Sequence, residues 1–302
     1  MIRLFYFSRP TSALLLALLI FSLSIFAQTE DEVLTVDSST VLLNATILDN
    51  NGKSATGLKR EQFSVFENGV QQQISYFSAA ETPFAAVILI DTSGSMESRI
   101  SIARAAAINF LTGLRANDSA AIYRFSSKVE LIQDFSGSQD INESVFELRA
   151  DGMTALNDSI FKSAEELKKR PEKRRAIIVL SDGEDTSSGK SADKALKTAL
   201  DAGALIYTID MSSMDSNTRQ RVQNQGILRN FAEKSGGKFV ATPGGAALRQ
   251  AFKGIVDELG IQYTLGYEPT NLQKDGKWRA IELRVARPNL TIRTRKGYNA
   301  SK

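Results

Sequence analysis

The chain has 302 residues, with 37 basic and 34 acidic side chains and neither cysteine nor histidine. Those two absences exclude thiolate nucleophiles, a disulfide framework, histidine-based triads and His-ligated zinc. The length allows about two domains, and 42% hydrophobic with 24% charged residues is the make-up of an ordinary globular protein.

The first 27 residues differ from the rest. Arg3 and Arg9 precede an apolar run that begins at Ala13 and ends at Ile25-Phe26-Ala27. This reads as a secretory signal peptide over residues 1–27, cut after Ala27. Its apolar stretch, Ala13 to Phe26, is 14 residues long, short of the roughly 20 that a membrane-spanning helix needs. A membrane attachment is implied only if the segment stays uncleaved. Without its two arginines the remainder carries 35 basic against 34 acidic residues, which gives no electrostatic case for binding nucleic acid. The export signal implies a periplasmic or extracellular protein.

Beyond a short acidic linker, residues 33–80 read as an N-terminal β segment. Val41, Leu43, Ala45 and Ile47 alternate with Leu42, Asn44 and Thr46, the period-2 pattern of a strand with one buried face. Phe63-Ser64-Val65-Phe66 and Ile74-Ser75-Tyr76-Phe77 flank Asn68-Gly69, and both turn residues tolerate positive φ, so the pair is expected to be a hairpin.

From residue 84 the pattern changes to strands alternating with helices. Strands are expected at 85–91, 119–126, 129–134, 175–181, 204–210 and 238–241. Helices are expected near 98–114, 141–149, 155–170, 191–202, 229–235 and 245–260. In the first helix Ile100, Ala103, Ala107, Phe110, Leu111 and Leu114 form one apolar stripe. This alternation predicts an α/β fold, a doubly wound and mainly parallel sheet with helices on both faces. The strands 119–126 and 129–134 are too close for a crossover, so one of them is antiparallel. The polar segment 212–228 reads as a surface insertion or a mobile loop. The basic cluster Lys168-Lys169-Arg170 with Lys173-Arg174-Arg175 reads as a solvated helix terminus.

Residues 262–299 return to β patterning. Tyr263 to Tyr267 reads as a strand, and Trp278–Val285 with Leu290–Thr294 reads as a hairpin about Pro288-Asn289. Trp278 and the tyrosines at 263 and 267 are expected in the core or on a sheet face. The last helix of 84–261 runs back to the Phe84 end of the sheet, so both β flanks leave from that end. They are expected to pack together as one β-sandwich-like domain with 84–261 inserted in it, because a lone hairpin is marginal in water; the alternative is two separate small β appendages.

The chemistry concentrates where the apolar strand Ala85–Ile90 ends. Asp91-Thr92-Ser93-Gly94-Ser95-Met96 follows it at once, and the carboxyl end of a central strand is where open α/β sheets place ligands. Asp91, Ser93 and Ser95 can bring hard oxygens to one point, which suits a cation such as Mg²⁺. Two more loops stand in corresponding places: Asp151-Gly152-Met153-Thr154, and Ser181-Asp182-Gly183-Glu184-Asp185 after the strand Ala176–Leu180. Read alone, Asp91–Ser95 is equally a helix cap.

Together the three loops resemble the metal-ion-dependent adhesion site of von Willebrand factor A (VWA) domains. The resemblance implies a Rossmann-like VWA domain over 84–261. Its metal ligands would be Asp91, Ser93, Ser95, Thr154 and Asp182: the serines and Thr154 touch the ion, and the two acids act through water. The ion is Mg²⁺, or Mn²⁺ or Ca²⁺, and it completes its coordination with a Glu or Asp carboxylate of a protein partner. The implied role is a metal-dependent adhesion or interaction module, not an enzyme. Asp151 stands where many members carry glycine and reads as a loop cap. Glu184 and Asp185 read as charges at a helix N-terminus or on the solvated rim. The flanks Thr56-Gly57-Leu58, Phe63–Gly69 and Tyr263–Tyr267 resemble a bacterial VWFA-related family of exported proteins.

Two other readings stay open. Asp91 followed by Thr-x-Gly-Ser has a distant likeness to Mg²⁺-dependent aspartyl-phosphate phosphatases and phosphotransferases, with Asp91 as nucleophile. Against it, Ser93 stands where the haloacid-dehalogenase group carries a second aspartate. The third reading is a structural scaffold whose site has lost its ion.

Overall fold

The computed structural model describes residues 40–79, 81–137, 141–213, 217–241 and 245–300. The expected signal peptide, residues 1–27, and the linker after it lie outside the described residues. No helix among the described residues is long and apolar enough to cross a membrane.

The chain begins with four strands, β1 (Val41–Leu48), β2 (Phe63–Glu67), β3 (Val70–Gln72) and β4 (Ile74–Ser78). Alternation of strands and helices follows: β5 (Phe84–Asp91), α1 (Ile100–Thr112), β6 (Ser119–Phe125), β7 (Val129–Ser136), α2 (Leu156–Lys168), β8 (Arg174–Ser181), α3 (Ala192–Asp201), β9 (Ala204–Asp210), α4 (Thr218–Ser235), β10 (Phe239–Ala241) and α5 (Ala246–Gly260). The chain ends in β11 (Tyr263–Tyr267), β12 (Trp278–Val285), β13 (Thr291–Arg293) and β14 (Gly297–Asn299).

Strands β5 to β10 form one sheet in the order β10-β9-β8-β5-β6-β7. All neighbours are parallel except β7, which turns back antiparallel beside β6. β5 is central and every one of its residues is buried. Its side chains alternate between two cores, as a strand covered on both faces must. Ala86, Ile88 and Ile90 pack with Phe110 of α1 and Phe252 of α5, while Ala85, Val87 and Leu89 pack with Ile160 of α2, Leu196 of α3 and Phe231 of α4. Each large aliphatic side chain buried this way contributes about 1.5–3 kcal/mol. This is the doubly wound α/β fold that the strand and helix spacing implies.

The two flanks form a pair of antiparallel sheets, ordered β13-β1-β11-β4 and β14-β12-β2-β3. Each sheet mixes strands from before and after the α/β unit: β1 pairs with β11, and β12 pairs with β2. One apolar core lies between them, with Leu43, Leu265 and Tyr267 from one sheet against Val65, Ile281 and Leu283 from the other. The inward residues of β1 are those the period-2 pattern selects. Tyr267 and Tyr298 both donate to the buried Glu67 carboxylate, at 2.7 and 2.9 Å, which satisfies that acid inside the sandwich.

Both expected hairpins are rearranged. β2 turns through Asn68-Gly69 and pairs with β3, not with the segment 74–77. A single residue later the chain crosses to the other sheet, where β4 pairs with β11. Likewise β12 and β13 are not partners, because β13 pairs with β1 in the opposite sheet. Strands that switch sheets make the corners of a sandwich, and the turn signals at Asn68 and Asn289, both with positive φ, mark the turns without fixing the partners.

Two further expectations are corrected, while Trp278 takes one of its two expected places. The helix expected at 141–149 is only a 3₁₀ turn, Glu143–Val145. Its buried apolar side chains are only Val145 and Leu148 while Phe146 faces solvent, too little contact to hold several turns. The polar segment 212–228 is in large part helix: α4 starts at Thr218, capped by the Asn217 side chain, which accepts from the Arg219 and Gln220 amides. Its buried face runs Asn224, Leu228, Phe231, Ala232 and Ser235, and the polar ends of that stripe hide its period. Trp278 is 43% exposed, outside the core; strand alternation places it on the outer sheet face.

The basic cluster is not simply solvated either. Arg174 is 0% exposed. Its guanidinium donates to the carbonyls of Leu259, Gly260 and Gln262, where α5 ends and β11 begins. Burial pulls its pKa down to about 10, and the carbonyl end of α5 offsets the buried charge. Arg174 also stands beside Phe84 in the sheet register. The last helix therefore returns to the Phe84 end, and both flanks leave the sheet opposite Asp91.

Candidate functional site

β5 and β8 end side by side, and the loops that follow them meet a third loop from before α2. Asp91 is the last residue of β5 and is 0% exposed. One carboxylate oxygen accepts the Ser93 amide at 2.9 Å; the other accepts the Ser181 hydroxyl at 2.6 Å. Burial pushes the Asp91 carboxyl up to about 6, partly opposed by these hydrogen bonds from Ser181 and Ser93, and the nearby Asp182 carboxylate adds a further upward push.

Ser93 precedes a 3₁₀ turn, Gly94–Met96, but its side chain makes no capping hydrogen bond. Its hydroxyl faces the Ser95 hydroxyl at 3.2 Å instead. Helix α1 starts later, at Ile100, with no side-chain cap. The helix-cap reading of Asp91–Ser95 therefore accounts for Asp91, which holds the Ser93 amide, and leaves the two hydroxyls without that role. Ser93 is buried and Ser95 is exposed, so the pair spans the boundary between interior and solvent.

The second loop is stitched to the first. The Gly94 amide donates to the Gly152 carbonyl at 3.0 Å, and the Asp151 amide donates to the Thr92 carbonyl at 2.7 Å. Gly152 has φ +82, and a Cβ there would lie 2.9 Å from the Ser127 hydroxyl, so the loop takes this path only with glycine. The Asp151 side chain is exposed, whereas Thr154 is buried.

The third loop is held as closely. Asp182 is half-buried and accepts the Glu184 amide at 3.2 Å. Gly183 has φ +84, and a Cβ there would stand 2.6 Å from the Asn224 carbonyl. The Thr186 hydroxyl accepts the Thr154 amide, and the Thr154 carbonyl accepts the Thr186 and Ser187 amides, all at 2.9 Å. Asp158, in the first turn of α2, accepts the amides of Gly189 and Lys190 at 2.9 and 2.8 Å. Asp185 accepts from the Asn157 side chain and the Ser188 amide. No helix begins at Glu184 or Asp185, since α3 starts at Ala192; Asp185 is a clamp within the loop.

Asp91, Ser93 and Ser95 are thus joined by direct hydrogen bonds, and Asp182 is near enough for its charge to act on Asp91. Thr154 joins the same assembly through Gly152 and Thr186. Among the described residues no group of three or more acidic side chains is placed to hold a metal ion; an ion at these loops would depend on hydroxyl oxygens. Ser181, Thr186 and Asp158 are the contributors that sequence reasoning passed over. Ser181 carried one signal, a hydroxyl closing an otherwise apolar strand one residue before Asp182.

Residues 86–184 match the family model of the von Willebrand factor type A domain. Among solved structures, the vWF domain of the pilus tip protein Mfa5 from Porphyromonas gingivalis is similar, with 15% identity and a TM-score of 0.51 over 61% of this chain and 98% of that one. A von Willebrand factor type A structure from Catenulispora acidiphila shares 15% identity over 88% of this chain and 76% of its own, with a TM-score of 0.49. The PilB minor pilin from Streptococcus sanguinis shares 16% identity with a TM-score of 0.47 over 61% of this chain, which spans only 62% of that protein. No curated protein matches the chain. The match to the von Willebrand factor type A family lies within the six-stranded unit, which has the fold of a VWA domain; the antiparallel sheets form an additional β domain.

Proposed function

We propose that this protein is an exported interaction module that binds a protein partner through a divalent cation held by Ser93, Ser95 and Thr154, with Asp91 and Asp182 supplying negative charge. The observation that carries the reading is the Ser93–Ser95 pair. Two hydroxyls that cap no helix face each other beside a buried carboxylate, on loops fixed by main-chain hydrogen bonds. The donors fit a hard ion such as Mg²⁺ or Mn²⁺, being oxygens throughout. Bound there, the ion would offer a Lewis-acidic position to a Glu or Asp carboxylate of the partner. The chain's part is to present the hydroxyls without rearrangement and to balance charge from below. The VWA domain of a pilus tip protein is similar in fold, which supports interaction over catalysis. So does the burial of Asp91, whose two oxygens are both engaged by protein donors; a nucleophile for phosphoryl transfer must face its substrate.

Calorimetric titration of the purified protein with Mg²⁺ and with Mn²⁺ tests the reading. Saturable binding is expected, and the double variant Ser93→Ala, Asp182→Ala is expected to abolish it while the protein stays folded. Absence of binding in the unaltered protein overturns the reading. Hydrolysis of a chromogenic phosphate ester, lost on Asp91→Asn, would instead establish the phosphatase.

A further inference from the structure

Ser181 lies at the joint between the first and third loops, yet its hydroxyl is spent on protein groups. It is fully buried at the last position of β8. Its hydroxyl donates to the Asp91 carboxylate at 2.6 Å and accepts the Gly183 amide at 3.0 Å. Both uses are fixed by chemistry: an ionised carboxylate only accepts and an amide only donates, so the hydroxyl proton has one place to go. The Ser93 amide holds the other carboxylate oxygen, and two donors from two loops therefore set the plane of the Asp91 carboxylate. Through Gly183 the same hydroxyl also anchors the turn that carries Asp182.

We propose that Ser181 is a positioning residue for the cation site: its hydroxyl fixes the Asp91 carboxylate and the Asp182 turn in one arrangement without touching the ion. The inference rests on the metal-dependent reading above and deepens it. Loss of the hydroxyl leaves a buried carboxylate oxygen without its donor and the Gly183 amide without its acceptor. Hydrogen bonds to charged groups are the costlier ones to lose. Metal binding, which needs Asp91 ionised and oriented, carries that loss.

The test is Mn²⁺ titration by calorimetry, with thermal melts in chelator and in saturating Mn²⁺, on Ser181→Ala, Ser181→Cys and Ser181→Thr. The alanine and cysteine variants are expected to bind Mn²⁺ at least about tenfold more weakly and to lose most of the Mn²⁺-dependent rise in melting temperature. Cysteine keeps the volume with a weak donor, so it separates packing from hydrogen bonding if alanine fails to fold. Threonine keeps the hydroxyl and is expected to restore affinity to within about threefold of the unaltered protein. Unaltered affinity in folded Ser181→Ala or Ser181→Cys overturns the inference alone. So does a folded threonine variant as weak as alanine. Absence of Mn²⁺ binding in the unaltered protein overturns the metal-dependent reading and this inference with it.

Discussion

The two ends of the parallel sheet use polar residues in opposite ways. At the amino end, buried polar groups are spent on structure. Arg174 holds three carbonyls at the close of α5. Asp118 takes Arg115 at 2.9 Å and also the Phe84 amide. Gln262 reaches Thr46, Asn44 reaches the Lys173 carbonyl, and Arg293 pairs with Glu258. The Asn44 and Arg293 bonds cross from the α/β unit to the antiparallel sheets. At the carboxyl end the framework is also well bonded, but by main chain and by residues behind the surface, which leaves the Ser93 and Ser95 hydroxyls facing one another. One end is consumed in joining two parts of the chain; the other is kept available.

The sharpest way to break this contrast is Arg174→Met. It strips the donor from three carbonyls at once and is expected to destabilise by about 3 kcal/mol, read as a lowered midpoint in urea, with Mn²⁺ affinity of the folded protein unchanged. At the other end, Gly183→Ala forces a Cβ towards the Asn224 carbonyl at positive φ and is expected to cost about 2 kcal/mol. This change should also weaken Mn²⁺ binding, because the Asp182 turn moves. The mildest is Thr186→Val, which keeps volume at an exposed position but removes the acceptor of the Thr154 amide. A loss of about 1 kcal/mol is expected, with faster hydrogen exchange at the Thr154 amide and a smaller drop in Mn²⁺ affinity than for Gly183→Ala. If Arg174→Met weakened Mn²⁺ binding as much as Gly183→Ala, the two ends would not be independent.

The α/β architecture was legible because β5 and β8 are continuous apolar runs and the helices between strands bury regular stripes. Asp91, Ser93 and Ser95 were legible as a group through their spacing after β5. What escaped was whatever depends on partners distant in sequence. The turn at Asn68-Gly69 was visible, but the choice of β3 over β4 as the partner of β2 is made by the opposite sheet. α4 was obscured because Asn224 occupies an inward position that a hydropathy pattern assigns to an apolar residue. Arg174 looked like one of six basic residues near a helix end, and only the return of α5 to the same end of the sheet explains its burial. Ser181 and Thr186 act through contacts to other loops, which no local pattern encodes.

The pairing of β1 with β11 has a consequence for how the chain acquires its structure. Thr46 and Gln262, which hydrogen-bond across that seam, are 216 positions apart. β1 precedes β11 along the chain and stays unpaired and half apolar until β11 is available. Closing so long a loop from a disordered chain is entropically unfavourable and slow. Prior folding of the intervening α/β unit removes most of that obstacle, since its two ends meet at Phe84 and Gly260 and hold β1 and β11 within reach. Connectivity therefore favours an order in which the middle of the chain folds before the sandwich closes around its stems.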